Sequence, residues 1–192
     1  MTYSFQKNEE FLNDLKYRIG QVITIVEDNI AKLSVEDLSK KPKDGDWSIL
    51  QQLYHVQLMS ADYLKKLERA YQKVNEKTKS PTFHIEHSAT GLKWINALKQ
   101  NEEGMIKPLK AKLKYWPSER KMPENAIEQF LNTQKEFSIM LKKAALIDIQ
   151  NTKLRIKGIL SPKVNFGDVL AIYVLHTERH IHRSLKQMKM MP

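Results

Sequence analysis

The sequence predicts an all-α fold, a four-helix bundle with long crossover connections, and three observations favour it. Four segments repeat apolar residues at steps of three and four, the spacing of one face of an amphipathic helix. The stretches 78–123 and 148–163 between these segments are long and irregular. No apolar run reaches transmembrane length. Long helices joined by long connections are typical of a bundle with crossovers.

Composition indicates a single domain that spans residues 1–192. A chain of 192 residues with 41% hydrophobic residues can bury a sizeable core. It contains no cysteine, which excludes disulfides, thiolate metal ligands and a cysteine nucleophile. The N-terminal sequence MTYSFQKNEEFLNDL lacks the apolar segment of a signal peptide. We therefore expect a cytoplasmic protein with no membrane partner.

The net charge of +10 suggests that the protein could bind nucleic acid. The basic residues are nevertheless scattered along the chain and interleaved with apolar positions, as they are on an ordinary solvated helix face. One such run comprises Lys65, Lys66, Arg69 and Lys73. We expect no nucleic-acid partner and a small-molecule substrate instead.

The first helix is predicted from about Phe5 to Leu33. Its apolar stripe consists of Leu12, Leu15, Ile19, Val22, Val26, Ile30 and Leu33. The following stretch, SVEDLSKKPKDGD, contains Pro42 and Gly45 and is predicted to be a loop.

The second helix is predicted to begin after Asp46 or Ser48 and to run to about Lys77. Ser48 and Gln51 have the spacing of a capping box, in which each side chain satisfies the other residue's backbone N–H. One stripe of this helix is apolar. The neighbouring stripe carries Ser48, Gln51, His55, Met59 and Asp62.

The later elements follow from the same spacing. Segment 78–123 is predicted to hold one or two short helices and to cover one end of the fold. A third helix follows from Ile127 to Ala144, and a fourth runs from its cap Asn165 to about Met188. Between them, TKLRIK alternates polar and apolar residues, which suggests a short strand.

Three histidines occupy stretches that should be buried. His55 lies in the charge-free stretch Trp47–Ala61, His176 lies in Val169–Thr177, and His180 follows one helical turn later. Two imidazoles at i and i+4, with a third from another helix, can hold a divalent metal. Core histidines with ordinary hydrogen bonds explain the same pattern, so the residues alone leave both interpretations open.

The residues between His176 and His180 exclude two protease motifs. A zincin has its glutamate directly after the first histidine, where this chain has Thr177. The inverted motif has glutamate just before the second histidine, where this chain has Arg179.

The remaining histidines are not expected to bind metal. His84 and His87 follow Pro81 and are predicted to lie on a surface loop. His182 is about 200° around the helix from His180 and is predicted to be exposed.

The start Trp47-Ser48-Ile49, with His55 behind it and a C-terminal H-x-x-R-H-I, resembles the DinB-like superfamily, as does the lead-in KPKDGDWSI. The resemblance spans nearly the whole chain. It implies a four-helix bundle with a three-histidine metal site, and the ligands would be His55, His176 and His180. Zinc is the first expectation for the metal, with nickel and iron as alternatives.

The chain also departs from that superfamily at three positions near the ligands. Gln51 stands where the family often has glutamate, Leu58 where it has an acidic residue, and Arg183 where it has glutamine. The ligands themselves are intact, so the departures bear on the substrate more than on metal binding.

The resemblance implies a metal-dependent enzyme that transfers a low-molecular-weight thiol to an electrophilic small molecule. Characterised relatives include S-transferases that use bacillithiol, mycothiol or similar thiols, and a maleylpyruvate isomerase. Two alternatives stay open: a metal-dependent small-molecule hydrolase, and a non-catalytic stress or binding protein that the metal only stabilises. Relatives are often dimers, so a homodimer is expected. The sequence assigns no catalytic residue.

Overall fold

The structure is a computed structural model that describes residues 6–42, 45–81, 83–99, 113–117, 122–156 and 161–190. The helices with their bounds are α1 (Asn8–Ile25), α2 (Val35–Ser39), α3 (Ile49–Gln72), α4 (Ala89–Leu98), α5 (Ala126–Ala144) and α6 (Phe166–Met188). The predicted all-α class is confirmed.

Two small antiparallel ladders tie the connections to the helices. Strand β1 (Gln6–Lys7) pairs with β2 (His84–Ile85), and β3 (Lys153–Leu154) pairs with β4 (Val164–Asn165). Strand β3 lies within the predicted strand TKLRIK, whose last residue, Lys157, is outside the described residues. The ladder β1–β2 was not predicted, because each of its strands is too short to show a period.

The first helix and its following loop differ from the prediction. Helix α1 continues as one turn of π-helix to Ile30, and the predicted start, Phe5, lies outside the described residues. The loop prediction for SVEDLSKKPKDGD is wrong where α2 forms, and its residues 43–44 are outside the described residues. The Ser34 hydroxyl caps α2 by accepting the backbone N–H of Asp37 at 3.1 Å, and Leu38 is buried in the core.

Helix α3 begins as predicted and ends earlier. Its capping box is present: the Ser48 N–H donates to the Gln51 side chain at 3.0 Å, and the Gln51 N–H donates to the Ser48 hydroxyl at 3.3 Å. The helix ends at Gln72, short of the predicted Lys77, because Asn75 accepts backbone N–H groups of the next residues and starts a separate 3₁₀ turn, Glu76–Thr78.

The four long helices pack in the cyclic order expected of a bundle. Helix α3 packs against α5 and α6, and α1 packs against the same two helices. The stacked rings of Phe137 and Tyr173, 3.7 Å apart, join α5 to α6 in the largest cluster of buried apolar side chains among the described residues. The α3–α6 contact carries the polar cluster described next.

The connection between α3 and α5 lies against the same helices. Helix α4 packs on α6, and the 3₁₀ turn Leu113–Tyr115 packs on α3. Residues 100–112 and 118–121 of the crossover are outside the described residues. In the part of the chain that the structure describes, no helix combines the length and apolar character needed to cross a membrane.

Candidate metal centre

Three histidine side chains meet where α3 packs against α6. His55 comes from α3, and His176 and His180 come from α6; each offers one ring nitrogen, and these nitrogens all lie within 4.8 Å of one another. Nε2 of His55 is 3.4 Å from Nε2 of His176. Two nitrogens bound to one tetrahedral zinc ion at about 2.0–2.1 Å are about 3.3 Å apart. The cluster therefore fits a single divalent ion.

Hydrogen bonds on the far side of two rings set their tautomers. Nδ1–H of His55 donates to the backbone carbonyl of Tyr115 at 2.8 Å, and Nδ1–H of His180 donates to the side-chain oxygen of Gln52. Carbonyl oxygens only accept, so the proton is on Nδ1 in both rings and the Nε2 lone pair is left for a metal. Metal-binding histidines are oriented by partners of this kind.

The partner of His180 is held in turn by an acidic residue. The Gln52 amide nitrogen donates to the Asp46 carboxylate at 3.4 Å, and the same carboxylate oxygen accepts the backbone N–H of Trp47 at 2.8 Å. The Trp47 ring lies 4.7 Å from the ring of His55 and is stacked 6.2 Å from that of His180. The loop before α3 thus supports the orientation of His180 and covers the rings of His55 and His180.

His176 is held differently from the other two histidines. Its ring lies 4.6 Å from the ring of His180 and 5.2 Å from that of His55. Its buried Nδ1 has no hydrogen-bond partner among the described residues. The ring is half-buried, while the other two are buried, because one edge faces a cavity.

Burial keeps the three imidazoles neutral at neutral pH. Desolvation lowers the pKa of each ring, and the positive charge of Arg183 lowers it further. For His55 the hydrogen bond to the Tyr115 carbonyl partly opposes the shift. Neutral imidazole is the form that binds metal, so the free site is already in its binding state at pH 7.

The three nitrogens open onto a cavity of about 480 Å³, a volume that suits a small molecule. Its wall is largely aromatic and apolar, and it includes all three tryptophans of the chain. Among the described residues, the potential ligand group comprises the three histidines and no carboxylate. Catalytic metal sites have this character, with three protein ligands and a position left open.

A residue of the crossover closes one side of the site. The Tyr115 hydroxyl donates to the Asp62 carboxylate, which also accepts from Lys66 at 2.7 Å and from Lys114 at 3.0 Å. Burial alone would raise the pKa of Asp62, but these hydrogen bonds hold it at about 2. The ionised carboxylate therefore anchors the segment whose carbonyl orients His55.

The predicted surface position of His87 is wrong, whereas its predicted exclusion from the ligand group is confirmed. His87 is buried, not on a surface loop, because its Nδ1–H donates to the buried carboxylate of Asp168 at 2.7 Å. It does not belong to the three-histidine cluster, and neither does His84, which is half-buried in β2. His182 is exposed, as predicted.

Three residues around the ligands were missed by the sequence analysis. Gln52 carried a usable signal, because it is a buried amide one helical turn before His55 in a charge-free stretch. Asp46 was assigned only as an alternative helix cap. Tyr115 gave no signal, since its contact with His55 is made by the backbone of an irregular segment.

Comparison with known protein families identifies a match over most of the chain. The family described as the DinB superfamily matches residues 23–183, a range that includes the three histidines. No curated protein and no solved structure matches the chain.

Proposed function

The chain belongs to the DinB superfamily, and we propose that it is a metal-dependent enzyme that transfers a low-molecular-weight thiol to an electrophilic small molecule. The observation that carries the proposal is that three imidazole nitrogens converge on the wall of a cavity of about 480 Å³. A purely structural metal site is closed by a fourth protein ligand, whereas this cluster faces open space of substrate size.

The residues present fit a divalent ion. His55, His176 and His180 would hold it through Nε2, and the Tyr115 carbonyl and Gln52 amide would keep two of the rings in the binding tautomer. Zinc is the first candidate, with nickel and iron as alternatives, because all three accept imidazole. When bound, such an ion lowers the pKa of a thiol or water in its open position and supplies a nucleophile at neutral pH.

The sulfur must come from a small molecule, because the chain has no cysteine. In the proposed transfer, a thiolate electron pair forms a carbon–sulfur bond with the electrophile. The leaving group departs with the electrons of the broken bond, and the thiol proton passes to solvent. Apolar wall residues such as Leu98 and Ile172 exclude water from the reacting centre.

Tyr115 has a positioning role in this scheme. Burial and the hydrogen bond to Asp62 raise the pKa of its hydroxyl far above the usual range. The hydroxyl therefore keeps its proton at pH 7 and does not serve as a base. Its contribution is to hold the carbonyl that orients His55.

Cobalt substitution and a turnover assay test the proposal together. The cobalt-loaded protein should show a spectrum that changes when small thiols are added, because sulfur enters the open position. Transfer from a suitable thiol to a model electrophile should vanish in His176→Ala and persist in His182→Ala, whose side chain is exposed on the same helix. A broad thiol panel that changes neither the spectrum nor the electrophile would refute the transferase proposal.

Hydrolysis of a small molecule is the second candidate, because the same open position can accept water. It predicts loss of substrate in the cobalt or zinc protein without any added thiol. A non-catalytic role, in which the ion only joins α3 to α6, predicts a strong gain in melting temperature on metal loading with neither activity.

A further inference from the structure

Two residues of α3 contact both long connections of the bundle. Asp62 and Lys66 lie one turn apart, and the Lys66 ammonium donates to Oδ2 of Asp62 at 2.7 Å. The Tyr115 hydroxyl, from the connection between α3 and α5, donates to the same oxygen. The Lys66 ammonium also donates to the backbone carbonyl of Ile156, in the connection between α5 and α6, at 2.9 Å. One ion pair therefore joins two separate segments of the chain to one turn of α3.

Both of these segments contribute to the wall of the cavity beside the histidines. Tyr115 and Ile156 line the cavity, and each is buried. His55 and Met59 line it from α3, and Asp62 lies on the same stripe of that helix, about two turns after His55. The ion pair thus lies at the edge of the site, and neither of its members belongs to the three-histidine ligand group.

The two contacts share one carboxylate oxygen. Oδ2 of Asp62 accepts from Lys66, from the Tyr115 hydroxyl and from Lys114, the last at 3.0 Å. The side chains of Asp62 and Lys66 are 28% and 23% exposed, so solvent screens this pair less than it screens a surface pair. Because one oxygen serves all these donors, a change at Lys66 should reach Tyr115, and a change at Asp62 should reach Ile156 through Lys66.

Tyr115 carries this restraint to a candidate metal ligand. Its backbone carbonyl accepts Nδ1–H of His55 at 2.8 Å, and its ring meets the ring of His55 edge-on with centroids 6.4 Å apart. Its hydroxyl is held by Asp62, so both the backbone and the side-chain end of Tyr115 are fixed against α3. If the hydroxyl end is released, the carbonyl can move and His55 can adopt the other tautomer.

We infer that Asp62 and Lys66 form a clamp that holds both connections against α3, and that they are positioning residues for His55 and for the cavity wall at Ile156. The inference rests on the metal centre of the proposed function and not on thiol transfer. The alternative is a pair of independent contacts, each of which fixes its own segment without affecting the other.

Nitrogen NMR of the histidine rings in the zinc-free protein reports the tautomer of His55. The wild type should carry the proton on Nδ1, as the hydrogen bond to the Tyr115 carbonyl requires. Asp62→Ala should show a mixture of the Nδ1–H and Nε2–H forms. Tyr115→Phe removes only the hydroxyl and should give a similar mixture, so the test does not depend on the folding of Asp62→Ala alone.

Zinc affinity provides a second measurement of the same arm of the clamp. Asp62→Ala and Tyr115→Phe should each weaken zinc binding about 3- to 10-fold, less than the roughly 10- to 100-fold expected for a direct partner of a ligand. The double variant should bind zinc no more weakly than either single variant, because both changes break the same link. Glu68→Ala is the matched control, since Glu68 is another α3 carboxylate, paired with Lys143 at 2.8 Å. It should change neither the tautomer nor the zinc affinity.

Carbonyl-carbon NMR tests whether the two arms are coupled. Lys66→Met removes the ammonium and should shift the signal of the Ile156 carbonyl, which loses its donor. If the clamp acts as one unit, Lys66→Met should also weaken zinc binding, by about 2- to 5-fold, and Asp62→Ala should also shift the Ile156 carbonyl. Lys143→Met removes an ion-paired lysine of α5 and should produce neither effect.

The inference fails if Asp62→Ala keeps the His55 tautomer and the zinc affinity of the wild type. It also fails if either cross-effect is absent, because the two contacts would then be independent. Failure of the proposed function has a different signature. If the wild type binds no zinc, the proposed metal centre is refuted, while the tautomer and the Ile156 carbonyl still test the clamp. If Asp62→Ala changes none of these signals and thiol transfer is intact, the transferase proposal stands without the clamp.

Discussion

Buried histidines occur in two polar clusters of this protein, and the clusters differ in what the imidazole rings contact. At the junction of α4 and α6, His87 donates to Asp168, and the same carboxylate accepts from the Ser88 hydroxyl at 2.6 Å and from the Asn165 N–H at 2.8 Å. The carboxylate satisfies the imidazole, and the cluster ties two helix starts together. At the contact of α3 and α6, three imidazoles meet one another, and the ligand group found among the described residues includes no carboxylate.

The difference shows what separates a structural histidine from a candidate ligand. Burial does not, because His87 and His55 are both buried. The convergence of ring nitrogens does: one nitrogen each of His55, His176 and His180 lies within 4.8 Å of the other two, and His87 does not belong to this group. Open space is the second difference, since the metal centre lines a cavity of about 480 Å³. We therefore expect metal binding to depend on the cluster between α3 and α6, and fold stability to depend on the cluster at the junction of α4 and α6.

The largest expected effect is on metal affinity at the α3–α6 cluster. His55→Ala, His176→Ala and His180→Ala should each lower zinc affinity by more than about 100-fold, because loss of a ligand costs more than loss of an outer partner. The measurement is competition with a chromophoric chelator, supported by elemental analysis.

His87→Ala is the matched control for those variants, since it removes a buried imidazole from the other cluster. It should keep full zinc affinity at temperatures where it is folded. Loss of zinc in His87→Ala, or its retention in His176→Ala, would contradict the division between the clusters.

The sequence pointed to the three-histidine cluster in two steps. His176 and His180 are one turn apart on an apolar helix face, and His55 lies in a charge-free stretch, which left metal ligands and core histidines both open. The resemblance to the DinB-like superfamily then joined the three as ligands. The His87–Asp168 pair had no such signal, because its members are 81 residues apart and His87 lies in an irregular segment. Backbone contacts such as that of Tyr115 depend on how the crossover folds, which side-chain patterns do not encode.

The long elements of the fold were predicted better than the short ones. The four long helices were predicted because each buries a stripe of period 3.6 over many residues. Helix α2 and the two-residue strands were missed or only partly predicted, because elements this short depend on single tertiary contacts such as the burial of Leu38. The single-domain and homodimer expectations stay predictions.

The second effect concerns stability at the α4–α6 junction. A Cβ on Gly91 would collide with the Asp168 carboxylate, so Gly91→Ala should lower the free energy of unfolding by about 1–3 kcal/mol. Chemical denaturation of the metal-free protein measures this. Gly20→Ala is the control, because nothing lies within 4 Å of a Cβ there, and as a helical position it should gain stability. Equal stability of the Gly91→Ala variant and the wild type would show that the junction yields without cost.

A third, smaller effect should come from the amide behind His180. Gln52→Met keeps the side-chain length but removes the acceptor of His180 Nδ1–H, so zinc affinity should fall about 10- to 100-fold. Gln57→Met on the same helix is the control and should bind zinc as the wild type does, because Gln57 lies outside the ligand group. An unchanged affinity in Gln52→Met would mean that His180 needs no orienting partner.

The smallest effect is expected from mild acid. Three imidazoles with the ordinary pKa of about 6.5 would each be half protonated at pH 6.5, which would lower zinc affinity about sixfold relative to pH 7.5. Burial lowers the pKa of His55, His176 and His180 in the metal-free fold, so protons compete only at lower pH. Affinity corrected for chelator protonation should therefore fall by less than about sixfold between pH 7.5 and 6.5, and more steeply below. A full sixfold loss by pH 6.5, as estimated for unshifted imidazoles, would mean that the rings are more hydrated than the structure shows, while an affinity that stays flat to about pH 4 would argue against three histidine ligands.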